Sequence, residues 1–160
     1  MHKLALSTIL AFGAVAFLGT DTFAVDLSQQ KPIEIRIDMG QAGSKEHRFH
    51  PDKITIETGK LYRLVLHNPS NSAHYFFSND LAAKVWTRKA QVMDEVGPSR
   101  KAIAEIKGFT REIEVYPGGT AEWWFVPVAG GTVTDVICSI KEKDGKTHGE
   151  HGMKATVIIN

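Results

Sequence analysis

Three side chains that can bind a soft metal ion lie close together near the end of the chain. Cys138 is the only cysteine among the 160 residues, and His148 and Met153 follow it in what reads as a single loop. A thiolate, an imidazole and a thioether form a soft to borderline donor set, which suits copper better than the hard cations. Zinc would accept the thiolate and the imidazole but has little use for a thioether. This pattern predicts a copper site that needs a further ligand.

The further ligand is expected from a distant part of the chain. His74 is the candidate, because it directly follows an Asn- and Ser-rich turn. The loop itself contains a second histidine, His151, which a single glycine separates from Met153. In an extended segment those two side chains share a face, so His151 is an alternative to His148 as the loop imidazole.

The elements that must position these ligands are predicted to be short β-strands. Two apolar, β-branched runs, 132–137 and 155–159, flank the ligand loop, and His74 begins an extended piece. Further strands are predicted at 33–38, 54–57, 61–67, 103–107, 111–116 and 120–126. About eight short strands separated by Gly and Pro turns are typical of an all-β sandwich.

Two connections between these strands have signatures of their own. The Gly-containing turn at 58–60 predicts a hairpin-like unit between 54–57 and 61–67. Residues 81–93 predict a helix, with N-cap candidates before it, an imperfect apolar stripe along it and Gly97-Pro98 after it. We expect this helix to be an insertion on the sandwich.

Three other histidines are interpreted as lying outside the metal site. His47 and His50 fall in a predicted loop and read as solvated, with an accessory metal site as the alternative. His67 closes an apolar strand and reads as a structural residue.

The order of these motifs resembles the cupredoxins. An Asn-rich turn leading to His74 is followed by Pro117-Gly118 and by Phe125-Val-Pro127, and a Cys…His…Met loop then precedes the last strand. The similarity extends from about residue 51 to the C-terminus. It implies a Greek-key β-sandwich of about eight strands with one helical insertion. One feature departs from the family, in which the loop histidine usually follows the cysteine by a few residues: here nine residues separate Cys138 from His148.

The resemblance also implies a ligand set. A type 1 copper site has two imidazoles and a thiolate near one plane and a long axial thioether. When these roles are carried over to this chain, the resemblance implies that His74 and Cys138 are equatorial ligands and that Met153 is the axial ligand. The second imidazole is then His148 or His151. His148 is favoured because the loop ending resembles that of other cupredoxins and because its side chain is expected to reach the site. The cofactor implied is one copper ion.

The N-terminus predicts export. An apolar run at 4–18 follows His2 and Lys3, and the small residues Thr22 and Ala24 suit cleavage by a signal peptidase. The run is too short for a comfortable membrane span. We therefore expect a signal peptide at 1–24, a single domain at 25–160, a periplasmic location and no stable membrane insertion after cleavage. A lone cysteine in that compartment cannot form an intramolecular disulfide, so it is either buried and inert or held as a thiolate by a metal. The downstream His and Met favour the metal.

Charge and composition limit the function. With 19 basic and 18 acidic residues the formal net charge is +1, so there is no electrostatic case for nucleic acid or for an anionic membrane surface. A self-contained enzyme is not expected, because one copper supplies one electron and the sequence offers no second metal cluster.

Copper handling is the predicted function, and the charged run at 141–146 is the reason. Such a run disfavours a dry docking patch for a redox partner beside the ligands. We therefore expect a role in copper homeostasis, and in this respect the chain resembles the periplasmic copper-tolerance cupredoxins. The alternative is a soluble one-electron carrier in electron transport, and a third reading is an interaction domain whose metal is incidental. The partners expected are the copper ion and a cytochrome, an oxidase or a copper transporter.

Overall fold

The computed structural model describes residues 29–44, 46–94 and 100–160, which form two packed β-sheets. In chain order the elements are β1 (Ile33–Met39), β2 (Phe49–His50), β3 (Lys53–Ile56), β4 (Tyr62–His67), β5 (His74–Phe77), α1 (Asn79–Lys84), β6 (Val85–Asp94), β7 (Lys101–Ile106), β8 (Glu112–Val115), β9 (Thr120–Pro127), β10 (Gly131–Ile137) and β11 (Lys154–Ile159). The predicted signal peptide at 1–24 and the Gly97-Pro98 helix stop lie outside the described residues.

The two sheets have six and five strands. The first has the order β2-β1-β4-β9-β6-β7 and the second has the order β3-β11-β10-β5-β8. Both are mixed, because β1 runs parallel to β4 and β3 runs parallel to β11. The predicted all-β sandwich is confirmed, with eleven strands in the described part of the chain instead of about eight.

The core lies between the sheets and follows from the alternation of side chains along each strand. On β9 the inward Trp123 and Phe125 are almost completely buried. Trp123 meets Phe76 of the second sheet edge to face, with the ring centroids 6.5 Å apart. Cys138 and Met153 belong to the same buried cluster. The candidate ligands are therefore anchored in the core and not in a mobile surface loop.

The predicted helix at 81–93 is wrong beyond Lys84. The helix α1 has six residues and is capped at its N-terminus by Ser78, whose hydroxyl accepts a hydrogen bond from the Leu81 N–H. From Val85 the chain continues as β6, which pairs with β9 on one side and β7 on the other. β-Branched and aromatic residues suit such a central strand. Two neighbouring strands satisfy its backbone on both sides, so tertiary pairing overrides a weak helical stripe.

The predicted hairpin around 58–60 is also wrong. Its two strands go to different sheets, since β3 pairs with β11 and β4 pairs with β1 and β9. The turn connects the layers, and its N–H groups donate to the Asn160 and Pro127 carbonyls instead of closing a hairpin. A membrane-spanning helix, which needs about 20 apolar residues, is not found among the residues that the structure describes.

Candidate metal centre

The structure brings Cys138, His74 and His148 together. The Sγ atom of Cys138 lies 3.4 Å from His148 Nδ1 and 3.9 Å from His74 Nδ1, and the two Nδ1 atoms are 3.1 Å apart. His74 begins β5 and Cys138 follows β10, and these strands are neighbours in the second sheet. His148 lies in the connection between β10 and β11. All three side chains are almost fully buried.

A hydrogen-bonded turn holds His74 in place. Asn68 is buried and its amide donates to the carbonyls of Ser72 and Val115, at 2.7 and 2.8 Å. The Asn68 Oδ1 atom accepts from the Ser70 hydroxyl at 2.7 Å, and the Ser70 oxygen lies 2.9 Å from His74 Nε2. The Asn-rich turn therefore fixes the outer nitrogen of His74 and turns Nδ1 toward Cys138.

Gly40, at the end of β1, permits this arrangement. A Cβ atom at this position would lie 2.9 Å from Ser70 Cβ and 3.2 Å from His74 Nε2. Its φ of +86° is also a conformation that favours glycine. The first sheet can therefore approach the Ser70–His74 pair closely only because this residue has no side chain.

His148 is held from the other side. Its Nε2 atom lies 3.0 Å from the Glu142 Oε1 atom. Its backbone N–H donates to Ile140 O, and its carbonyl accepts from the Met153 N–H at 2.9 Å. The side chain and the backbone of His148 are both fixed, with Nδ1 facing the cluster.

These contacts leave both Nδ1 atoms with lone pairs that face each other. A carboxylate can only accept, so His148 donates from Nε2 to Glu142. The single Ser70 hydroxyl proton goes to Asn68, so Ser70 accepts from His74 Nε2. Two lone pairs 3.1 Å apart repel unless a cation lies between them. The cluster is therefore arranged to receive a metal ion.

The other two sequence-predicted residues, Met153 and His151, differ in how they are placed. Met153 is fully buried, and its carbonyl accepts from the Cys138 N–H at 3.2 Å. His151 lies apart, with its Nε2 atom 3.0 Å from Asp144 Oδ2 and 33% of its side chain exposed. Of the two alternatives for the loop imidazole, His148 is the one beside Cys138 and His74. The ligand roles of these residues stay predictions.

His47 was interpreted as a solvated loop residue, and the structure places it against the site. Its ring stacks on His148 with centroids 3.9 Å apart and 23° between the planes. One nitrogen each of His47, His74 and His148 lie within 4.8 Å of one another. The sequence carries no local signal for this contact, because His47 is 101 residues away from His148. His50 is paired with Glu46 on the surface, and His67 bonds Thr120.

Solved structures with the same architecture are found, although no family model and no curated protein matches the sequence. A multicopper oxidase from Campylobacter jejuni, described as a metallo-oxidase, is 14% identical over 81% of this chain and 30% of the oxidase, with a TM-score of 0.57. The McoA multicopper oxidase from Aquifex aeolicus is 13% identical over 88% of this chain and 32% of its own, with a TM-score of 0.52. The chain has a cupredoxin fold.

An auracyanin from Roseiflexus castenholzii also matches this cupredoxin fold, at 22% identity over 79% of this chain and 96% of the auracyanin, with a TM-score of 0.48. The chain spans about a third of the length of the two oxidases. The likeness to the two oxidases concerns the fold alone, and it agrees with the β-sandwich that the motif order implied.

Electrostatics at the site of this cupredoxin fold favour uncharged donors. Burial, with the nearby His148 and His47 rings, lowers the pKa of His74 to about 4. Burial also raises the pKa of the Cys138 thiol, against the opposing effect of backbone hydrogen bonds. The hydrogen bond from His148 lowers the pKa of the Glu142 carboxyl. Since burial keeps the thiol protonated, a metal ion must displace that proton when it binds.

We expect the metal-free protein to lose stability as the pH falls from about 6.5 to about 4. In this window His74 is protonated in the unfolded chain but not in the folded one. The unfolded chain therefore binds more protons, and acidification favours unfolding. One pKa unit corresponds to about 1.4 kcal/mol, so the loss from this residue is at most on the order of 3 kcal/mol.

Urea unfolding of the metal-free protein at several pH values measures this loss. The matched control is His74→Asn, which removes the titrating group and should flatten the pH dependence even if it lowers the overall stability. Equal slopes for the wild type and His74→Asn between pH 6.5 and 4 would show that another group is responsible.

Proposed function

We propose that this protein binds one copper ion, which Cys138 Sγ, His74 Nδ1 and His148 Nδ1 would hold, with Met153 as a weaker fourth donor. The observation that carries the proposal is the pair of facing Nδ1 atoms, 3.1 Å apart, beside a buried thiol. Metal–nitrogen bonds of about 2.0 Å and metal–sulfur bonds of about 2.3 Å put the donors of one ion about 3–4 Å apart. The three donor distances, 3.1, 3.4 and 3.9 Å, fall in that range.

Copper is the metal that this donor set favours. Two imidazoles, one thiolate and a nearby thioether are the ligands of blue-copper electron-transfer sites. Zinc would more often take four strong ligands. When bound, copper supplies a centre that changes between Cu(I) and Cu(II) by one electron.

The chain's own residues prepare the site. Ser70 and Glu142 hold the outer nitrogens of the two histidines, so neither ring has to turn when a metal ion enters. The Tyr75 N–H donates to Cys138 Sγ at 3.3 Å, which stabilises a thiolate. The buried position of all three donors keeps bulk water away from them.

We propose copper handling in the periplasm as the physiological role. His148 is 1% exposed and its outer nitrogen is occupied by Glu142, so no bare imidazole edge faces a docking partner. The charged connection around it supports storage or delivery of copper in preference to rapid electron exchange through an apolar contact. The exported location rests on the sequence alone.

A one-electron carrier is the second candidate function. The fold is as compatible with electron transfer as with copper handling. Two oxidases share the fold over about a third of their length, so the architecture does not separate carriers from enzymes. The non-enzymatic role is a further part of this proposal, because a single copper ion exchanges one electron at a time.

Growth of a deletion strain separates the two roles. If the protein handles copper, the strain should grow poorly at high external copper and respire normally at low copper. Wild-type protein should restore growth, whereas Cys138→Ser, the matched control, should not. A respiratory defect without copper sensitivity would contradict the handling role and support the carrier, and cell fractionation of the same strains checks the periplasmic location.

A further inference from the structure

The residues between Cys138 and His148 fold into a small hairpin. Its turn is closed by the Glu142 N–H bond to Lys146 O at 2.8 Å and the Gly145 N–H bond to Glu142 O at 3.0 Å. The Asp144 carboxylate caps the turn by accepting from the Lys146 N–H. The extra length that distinguishes this loop from familiar cupredoxin loops is therefore an ordered element.

The hairpin presents Glu142 to two histidines. Its Oε1 atom lies 3.0 Å from His148 Nε2 and 3.5 Å from His47 Nε2. His148 is buried, whereas 40% of the Glu142 side chain is exposed. The carboxylate thus lies between solvent and the outer edge of the imidazole.

His47 covers the face of the same ring. It is carried by the connection between β1 and β2, which the Gly40 N–H bond to Arg48 O closes at 2.8 Å. The His47 and His148 planes are 23° apart at a centroid distance of 3.9 Å. A nitrogen lone pair lies in the plane of its ring. Because the two rings are nearly parallel, the His47 lone pairs lie in a plane stacked on the His148 ring. His47 Nδ1 is buried without a hydrogen-bond partner among the described residues, so binding of the same ion by His47 is the alternative that variants at this residue must test.

We propose that Glu142 and His47 form a cover on His148 that fixes its ring and controls how tightly and how long the site holds copper. The inference rests on the proposed copper site and adds two positioning residues to it. A carboxylate that accepts from the outer nitrogen of a metal-bound imidazole fixes its tautomer and raises its basicity. Its negative charge also favours Cu(II) over Cu(I). The stacked ring blocks the path by which water or a chelator reaches the metal.

The chain contains a matched control for Glu142. Asp144 is in the same hairpin and its carboxylate also lies 3.0 Å from a histidine nitrogen, but that histidine is the exposed His151. Glu142→Ala removes the first carboxylate–histidine pair, and Asp144→Asn removes the charge of the second while its amide oxygen can still accept from the Lys146 N–H. Only the first pair contacts a proposed ligand.

The experiment compares the copper-loaded variants. Glu142→Ala should lose copper to an excess of EDTA about tenfold or more faster than the wild type, as expected for loss of a residue that orients a ligand. Glu142→Gln, which keeps an acceptor oxygen but removes the charge, should reduce the ratio of Cu(II) to Cu(I) binding constants by about tenfold. Asp144→Asn should stay within about twofold of the wild type in both measurements. Equal behaviour of the Glu142 and Asp144 variants would overturn the proposal.

Two variants at His47 distinguish a ring that shields His148 from a side chain that binds copper. His47→Phe keeps an aromatic face on His148 but has no nitrogen, and His47→Ala removes both. The proposal expects faster copper loss from His47→Ala than from His47→Phe. The nitrogen coupling in the EPR spectrum should be the same in both. Loss of one coupled nitrogen in His47→Phe would identify His47 as a ligand and overturn the cover.

The wild-type spectrum keeps the two proposals apart. If the copper-loaded wild type lacks an intense thiolate-to-copper band, the proposed copper site fails and the cover fails with it. If that band is present and the Glu142 and His47 variants release copper at the wild-type rate, only the cover fails.

Discussion

Replacing Cys138 with serine is expected to abolish the intense visible absorption of the copper-loaded protein. The absorption arises from charge transfer between the thiolate sulfur and Cu(II), and a serine oxygen does not supply it. Cys138 is 0% exposed and lies 3.4 and 3.9 Å from the two Nδ1 atoms, so its sulfur is next to any ion held by them. The visible and EPR spectra of the wild type and of Cys138→Ser, each loaded with Cu(II), measure the effect.

Folding must be checked separately in this variant. Serine is nearly the same size as cysteine, so the circular dichroism of Cys138→Ser without metal should match that of the wild type. The copper site would be excluded by a colourless wild-type protein that binds zinc more tightly than copper. It would also be excluded by a Cys138→Ser variant that keeps the full band.

Replacing His148 with alanine is expected to reduce copper affinity by more than about a hundredfold and to remove the strong absorption. Loss of a positioning residue near a metal costs about 10–100-fold, and loss of an equatorial imidazole should cost more. His74→Ala should behave in the same way, since its Nδ1 atom is 3.1 Å from that of His148. Competition with a chelator of known affinity gives the magnitude.

His151→Ala is the matched control, because it removes a histidine from the same loop. His151 is bonded to Asp144 at the surface, so its loss should leave the spectrum and the affinity largely intact. If His151→Ala bleaches the protein and His148→Ala does not, the loop rearranges when copper binds and the imidazole assignment is reversed.

The donor types, their order and most of the strands could be predicted from the sequence. Alternation and β-branched runs depend on neighbouring residues only, so β1, β4, β9, β10 and β11 were predicted close to their observed bounds. The Cys138, His148 and Met153 series lies within one loop, which makes its donor chemistry readable without a fold. Each of these inferences uses information that is local in the chain.

Tertiary structure decided what depends on distant partners. Residues 85–94 form a strand because β9 and β7 pair with it, and β3 and β4 belong to different sheets because β3 pairs with β11. The same holds at the site, where a stack between His47 and His148 joins residues far apart in the chain. The hairpin geometry also determines that Glu142 pairs with His148 and that Asp144 pairs with His151. Sequence spacing determines which donors the chain carries, whereas strand pairing and side-chain packing determine which of them meet.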